Sequence, residues 1–212
     1  MCSSPAELPL LVPPGLRFGG MSWIAEPTQD GAVAAAYDRD RAALGYVANF
    51  TKTFAHRPAV YEAWRGLNGA IKASMDPRRY ELATLAAALR LRSSYCSLAH
   101  AKVLVEQLDG AAAVPALFDG QAGDLDTVER AVVRLADTVA AGAADMTEDD
   151  LAELRGLGLE DAEILDVVLA AAARCFFSTV LDATGTEPDA AFRSFAPELQ
   201  GALTVGRPIA TG

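Results

Sequence analysis

The part of the sequence best suited to chemistry is a cysteine followed four residues later by a histidine, Cys96 and His100. At this spacing the two side chains share one face of a helix, so the imidazole is expected to reach the sulfur. Cys96 falls in the first turn after Ser93, a good N-cap whose hydroxyl is expected to accept the N–H of Tyr95 or Cys96. The unpaired N–H groups and the dipole of that turn favour an anion. The pattern therefore predicts a cysteine held as a reactive thiolate beside a base.

A carboxylate that can complete this site lies earlier in the chain, at Glu81, 15 residues before Cys96. If the helices that carry Glu81 and His100 pack side by side, Glu81 can orient the imidazole or relay a proton. Each residue also has an ordinary structural interpretation, because a lone cysteine or histidine on an apolar helix is usually part of the core. Metal binding is the weaker alternative, since Cys96 and His100 have no second Cys/His pair. We expect neither a metal nor another cofactor.

The elements around these residues are predicted to be helices, and we expect an all-α fold. The clearest helix covers 77–91, because Asp76 is a candidate N-cap, Pro77 takes the first helical position, and apolar residues follow on one face. A break at 92–93 leads to a helix over 94–108 that carries Cys96. Further helices are predicted over 29–50, 57–73, 125–141, 148–155 and 160–184.

The predicted organisation is one helical domain over residues 29–195, with a segment on either side. Residues 1–28 are rich in Pro, Gly and Ser and are expected to form an extended arm, draped over a neighbour. Residues 196–212 are expected to be a C-terminal tail that is loose or swapped onto a partner.

The composition excludes several classes of partner. The chain has 212 residues, a net charge of −10 and a pI of about 4.6, so its surface repels phosphate backbones and nucleic acid is not an expected partner. There is no polybasic cluster, no uninterrupted apolar run long enough to span a bilayer and no pattern of a secretory signal, so we expect no membrane association and a cytoplasmic location. Three widely spaced cysteines do not form a disulfide framework.

The arrangement of Glu81, Cys96 and His100 resembles the signature of the alkylhydroperoxidase D-like proteins, in the carboxymuconolactone decarboxylase-like superfamily. Those proteins carry a Glu followed by Cys-x-x-Cys-x-x-x-His. Cys96 matches the second Cys and His100 the His, while Ser93 stands in the place of the first Cys. Flanking segments extend the likeness to the peroxidase-related branch, over roughly residues 35–190: 46–50 and 56–58 upstream, and 146–148, 158–159 and 164–166 downstream.

The resemblance implies a helical fold that assembles into a homo-trimer or hexamer, and thiol-dependent peroxidase activity on a small-molecule peroxide. It implies that Cys96 reacts while Glu81 and His100 relay protons. In a peroxidase of this kind we expect Tyr95 and Ser93 as possible donors near the substrate oxygen. Because Ser93 cannot form the disulfide of the motif, we expect a one-cysteine scheme in which Cys96 becomes a sulfenic acid that an external thiol reduces.

The remaining cysteines have other expected roles. Cys175 lies in an apolar helical stretch and is expected to belong to the core, although it is the alternative resolving thiol. Cys2 is expected to lie in the N-terminal arm.

Two alternatives stay open. One is a lyase similar to carboxymuconolactone decarboxylase, in which His100 and Glu81 perform acid–base chemistry, Arg90 or Arg92 binds a substrate carboxylate, and Cys96 is incidental. The other is a non-catalytic helical oligomer, for which the missing first cysteine of the motif is the best support.

Overall fold

The computed structural model describes residues 21–119 and 125–211, and its regular structure within these ranges is helical, as predicted. The described helices are α1 (Gly31–Leu44), α2 (Asn49–Phe54), α3 (Pro58–Ser74), α4 (Pro77–Arg90), α5 (Ser94–Gln107), α6 (Ala113–Asp119), α7 (Thr127–Gly142), α8 (Asp149–Gly156), α9 (Asp161–Ala183) and α10 (Pro197–Leu203). Short 3₁₀ helices at Ala143–Asp145 and Ala190–Ser194 follow α7 and α9.

Helix α4 lies at the centre of the fold, packed against α5, α7 and α9. Every residue from Tyr80 to Ala88 is buried, whereas the sequence predicted only one apolar face. Neighbouring helices cover α4 on all sides, and its alanines let them approach closely. Glu81 is therefore a buried carboxylate on a central helix.

The start of α4 and the turn after it position the predicted site. The Asp76 side chain accepts the Arg79 N–H at 3.0 Å and Pro77 takes the first position, so the predicted cap is confirmed. Three residues join α4 to α5, and Arg92 among them has a left-handed φ of 57°. This tight turn folds α5 back onto α4, which brings the face of α5 that carries His100 against Glu81.

The prediction of a single helix over 29–50 is wrong, because Gly45 ends α1. Gly45 has a φ of 83°, and its N–H bonds to the Arg41 carbonyl at 3.0 Å. The Asp40 carboxylate then accepts the Ala48 N–H at 3.0 Å, just before α2 begins at Asn49. Glycine adopts this left-handed conformation without steric cost, so the chain turns here.

The described part of the N-terminal arm packs on its own chain. Residues 1–20 of the expected arm lie outside the described residues. After them, the Trp23 N–H bonds to the Thr184 carbonyl at 2.8 Å, and the Glu187 N–H bonds to the Met21 carbonyl at 2.8 Å. The chain around residues 21–23 is thus held at the end of α9.

The C-terminal segment is not the loose tail that was expected. It forms α10, which packs against α5, and Leu203 and Ala210 are fully buried. The Arg193 guanidinium donates to the Ala210 carbonyl at 2.9 Å and to the Ile209 carbonyl at 2.8 Å. Apolar burial and these hydrogen bonds both fix the segment to the helical core.

Helix α9 is long and apolar enough to cross a membrane by length and composition alone, with a mean hydropathy of 1.9 over its most apolar window. Half of that window is buried inside the fold. A core helix of a folded domain passes the same test, so this feature is weak evidence for a membrane span.

Gly206, in the C-terminal segment, lies close to the backbone of Arg92 in the turn before Cys96, and a substitution at Gly206 tests this contact. A Cβ added at Gly206 would lie 2.1 Å from the Arg92 carbonyl oxygen, so Gly206→Ala should lower the free energy of unfolding by roughly 1–3 kcal/mol. Urea denaturation followed by circular dichroism measures this change. Gly201→Ala is the matched control, because nothing lies within 4 Å of a Cβ there and α10 gains helix propensity. Equal stability of the two variants would contradict the close approach.

Candidate active site

Cys96 lies in the first turn of α5 and contacts an arginine that the sequence analysis did not identify. Its side chain is 1% exposed, and Nη1 of Arg174, on α9, donates to Sγ at 3.5 Å. The guanidinium also lies near the rings of Trp64 and Phe177, 5.8 and 5.4 Å from their centroids. An arginine in contact with a sulfur atom favours its anionic form. The sulfur is therefore buried beside a cation, within a core cluster that also contains aliphatic side chains.

Arg174 is itself buried, at 3% exposure, and stays charged. Burial alone would lower its pKa, but the neighbouring Cys96 sulfur and Tyr80 phenol raise it, and the net direction is upward. Arg174 forms no salt bridge to a carboxylate within residues 21–119 and 125–211. A signal was present in the sequence, since Arg174 is the only charged residue between Asp166 and Asp182 in an otherwise apolar stretch.

The expected contact between Glu81 and His100 is present. His100 Nδ1 lies 2.5 Å from Glu81 Oε2 and 3.0 Å from the Thr84 hydroxyl oxygen. The other carboxylate oxygen, Oε1, accepts from Lys72 Nζ at 2.8 Å. Glu81 is thus held between an imidazole on α5 and an ammonium group on α3.

The charges around this pair decide its protonation. Burial and the charge of Arg174 lower the pKa of His100 to about 4, although Glu81 opposes them. Burial would raise the pKa of Glu81, but His100 and Lys72 lower it, and the net direction is downward. At neutral pH the carboxylate is therefore ionised and the imidazole neutral. Because an ionised carboxylate only accepts, Nδ1 carries the proton, which leaves Nε2 as a free base.

Cys96, His100 and Arg174 line the same cavity, whose volume is about 340 Å³. Aromatic rings form much of its wall: Phe50, Tyr61, Trp64, Tyr95 and Phe177. No hydrogen bond links Cys96 directly to His100 in the described residues, so the sulfur is paired with Arg174 instead of the predicted imidazole. The arrangement places a thiol, a guanidinium and a neutral imidazole around a cavity large enough for a small molecule.

Several solved structures have the same architecture, and two of them come from proteins described as peroxidase-related. One from Ralstonia eutropha JMP134, described as an alkylhydroperoxidase AhpD core, is 19% identical, with a TM-score of 0.73 over 82% of this chain and 95% of that one. One from Silicibacter sp. TM1040 is 18% identical, with a TM-score of 0.73 over 82% and 94% of the two chains. The debrominase Bmp8, solved as a cysteine-to-alanine variant with 2,3,4-tribromopyrrole, is 17% identical, with a TM-score of 0.68 over 82% and 96%.

The chain has the alkylhydroperoxidase D-like fold. The fold expected from the Glu81, Cys96 and His100 pattern is thereby confirmed. No protein-family model matches the sequence, and a search of curated proteins finds no significant match.

Ser93 occupies the place of the first cysteine in the alkylhydroperoxidase D-like motif, and its side chain is fully buried. Its backbone takes the N-cap position of α5, but its hydroxyl makes no capping hydrogen bond, so the predicted cap on Tyr95 or Cys96 is wrong. The hydroxyl lies instead beside the Asp182 carboxyl. Burial raises the pKa of that carboxyl, and the neighbouring Ser93 and Arg207 offset the rise only in part.

Tyr95 lines this cavity and is hydrogen-bonded to a residue of a second cavity of about 440 Å³. Its hydroxyl donates to Asp189, which lines the second cavity, and accepts the Phe50 N–H at 3.4 Å. Burial and the Asp189 charge raise the pKa of Tyr95 well above its usual value. Because its proton is committed to Asp189, this geometry does not support the expected role of Tyr95 as a donor to substrate.

The arginines proposed for a carboxylate lie elsewhere. Arg90 pairs with Asp137, with Nε at 2.8 Å from the carboxylate, and Arg92 is exposed and donates to the Val205 carbonyl at 3.2 Å. Cys175 is half-buried rather than in the core, and burial raises its pKa. Cys2 lies outside the described residues. In the described residues, no cluster of three or more His, Cys, Asp or Glu side chains is arranged to hold a metal ion.

The neutral state of His100 makes protein stability depend on pH. The unfolded imidazole titrates near 6.5 and the folded one near 4, so the unfolded state binds more protons between these values and stability falls as pH falls. Between pH 6.5 and pH 4, the free energy of unfolding of the wild-type protein should therefore fall by roughly 2–4 kcal/mol more than that of His100→Gln. Urea denaturation across this range measures the difference, and parallel curves for the two proteins would refute the lowered pKa.

Proposed function

We propose that the protein is a one-cysteine, thiol-dependent peroxidase in which Cys96 is the nucleophile. The observation that supports this most is the Arg174 contact to the Cys96 sulfur inside a cavity that His100 also lines. A guanidinium favours a thiolate, and a neutral imidazole with a free Nε2 accepts the thiol proton. The solved structures of the same fold that are described as peroxidase-related agree with this chemistry.

The proposed first step transfers one oxygen atom from peroxide to sulfur. The Cys96 thiolate attacks the terminal oxygen of an organic hydroperoxide, the S–O bond forms and the O–O bond breaks. The alkoxide that leaves takes a proton from the protonated His100, which received it from the thiol. Glu81 orients the imidazole and stabilises its transient charge. The products are a Cys96 sulfenic acid and an alcohol.

The proposed second stage needs an external thiol as reductant. One external thiol condenses with the sulfenic acid to give a mixed disulfide and water, and a second displaces Cys96 to give the oxidised disulfide of the reductant. Ser93 cannot supply this thiol, and the half-buried Cys175 follows Arg174 on α9, about 100° around the helix from the residue that contacts Cys96.

The fold alone does not select this reaction, because one scaffold carries several chemistries. The debrominase Bmp8 has the same fold and binds a halogenated aromatic ring, and the carboxymuconolactone decarboxylase-like alternative needs only His100 and Glu81. Activity that survives blocking of every thiol but is lost in His100→Gln would favour that alternative. Loss of activity on thiol blocking favours the thiol scheme.

The expected homo-trimer or hexamer stays a prediction. Exposed apolar residues on the outer face of α9, namely Leu165, Leu169 and Phe176, are compatible with burial against another copy. The cytoplasmic location, the absence of nucleic-acid and membrane partners and the external thiol reductant likewise remain proposals.

Replacement of each described cysteine tests the proposal. Cys96→Ser should abolish peroxide consumption and peroxide-dependent labelling by a sulfenic acid trap, because the attacking sulfur is gone. Cys175→Ser should keep both, within about twofold of wild type, since that thiol does not line the cavity. Dimedone labelling followed by mass spectrometry of the modified peptide measures the site of oxidation.

Two outcomes would contradict the proposed peroxidase function. One is equal loss of activity in both cysteine variants, and the other is peroxide consumption that is unchanged in Cys96→Ser. Circular dichroism of each variant shows whether its fold is intact, so a folding defect is not mistaken for lost chemistry.

A further inference from the structure

We propose that the Cys96 cavity binds a small aromatic carboxylate, with the carboxylate on Arg174 and the ring against the aromatic wall. The inference rests on the proposed function for the assignment of the cavity as the reaction site, and it names the chemical groups that a hydroperoxide substrate would carry there: an aromatic ring with a carboxylate. The binding itself is measured without turnover. Three features of the cavity support it: its positive charge, its aromatic walls and two buried donors without an acceptor.

The charge of the cavity is opposite to that of the protein. The chain carries a net charge of −10, yet apart from the Cys96 sulfur, which the proposed function makes an anion, the charged side chains that line the cavity are arginines, Arg65 and Arg174. Arg65 is already paired with Glu62 at 3.1 Å, whereas Arg174 forms no carboxylate pair in the described residues. A buried cation without a carboxylate partner is costly, so an anionic ligand would be favoured beside it.

The aromatic walls of the cavity favour a ligand that contains an aromatic ring. Trp64 and Phe177 have ring centroids 4.3 Å apart and both lie near the Arg174 guanidinium. Phe50 meets Phe177 edge-on at 5.6 Å. Aromatic side chains bind flat apolar surfaces well, and this cluster places such surfaces next to the buried Arg174 guanidinium.

Unpaired donors at the cavity point to a ligand that accepts hydrogen bonds. The indole N–H of Trp64 and the Nε–H of Arg174 are buried without an acceptor in the described part of the chain. Buried polar groups are almost always paired in folded proteins. A carboxylate has only acceptors, so small shifts of these two side chains would allow it to satisfy both donors.

Isothermal titration calorimetry with an isosteric series tests this inference. Benzoate, neutral benzamide and cationic benzamidine share a planar shape and differ in charge, and acetate has the charge without the ring. Benzoate should bind wild type at least about tenfold more tightly than each of the other three. Arg174→Met should remove the preference for benzoate over benzamide, whereas Arg90→Met, which removes a surface arginine, should keep it.

Cys96→Ser separates this inference from the proposed peroxidase. That variant should bind benzoate as tightly as wild type or more tightly, because the guanidinium no longer faces a sulfur anion. Benzamide or acetate that binds as well as benzoate in wild type would overturn the inference even if Arg174→Met did not fold. In the wild-type protein, intact benzoate binding without sulfenic acid formation would overturn only the peroxidase function, whereas sulfenic acid formation without a preference for benzoate would overturn only the ligand class.

Discussion

The structure depends on one buried charge, the Arg174 guanidinium in the middle of α9. A cation at 3% exposure without a carboxylate partner in the described residues would cost several kcal/mol if nothing compensated it. Burial would lower its pKa, but the Cys96 sulfur and the Tyr80 phenol raise it overall, and the rings of Trp64 and Phe177 lie near the guanidinium. The packing of α3, α4 and α5 against α9 is thus also the packing that keeps this charge in place.

The charge of Arg174 also affects the protonation of the Glu81–His100 pair, whose carboxylate lies on the central helix α4. Glu81 is ionised between Lys72 and His100, and the positive field of Arg174 helps to keep the imidazole neutral. One cation therefore lies beside the sulfur and also keeps the imidazole neutral. In the proposed peroxidase these two groups are the nucleophile and the base, and α5 carries both while α9 supplies the cation.

The sequence was sufficient to predict the helices whose ends carry strong signals and the residues whose spacing is local. The Asp76 cap, α4, α5 and the long α9 follow from capping and periodicity, and the meeting of Glu81 with His100 follows from the short turn between their helices. The capping side chain of Ser93 was predicted wrongly, because burial beside Asp182 competes with the local hydrogen bond. Helix propensity and capping signals also did not predict α6, which begins at Ala113 after a segment with weak local signals.

Arg174 shows the limit of local reasoning. It lies 78 residues from Cys96, and no spacing rule connects the two positions, so only packing of α9 on α5 brings them together. The i, i+4 spacing predicts His100 as the partner of the sulfur, but the contact with Arg174 across the fold takes its place. Arg90 and Arg92 were considered for an anion because they are near the motif in sequence, while the arginine at the site is distant in sequence.

The central claim, that Arg174 activates the Cys96 sulfur, is tested most directly by the rate of alkylation of Cys96. Iodoacetamide reacts with the thiolate, so its second-order rate constant at pH 7, in protein with Cys2 and Cys175 replaced by serine, reports on that activation. The account predicts that Arg174→Met slows alkylation at least about tenfold while Arg90→Met leaves it unchanged. An Arg174→Met protein that is folded and reacts as fast as wild type would contradict the claim.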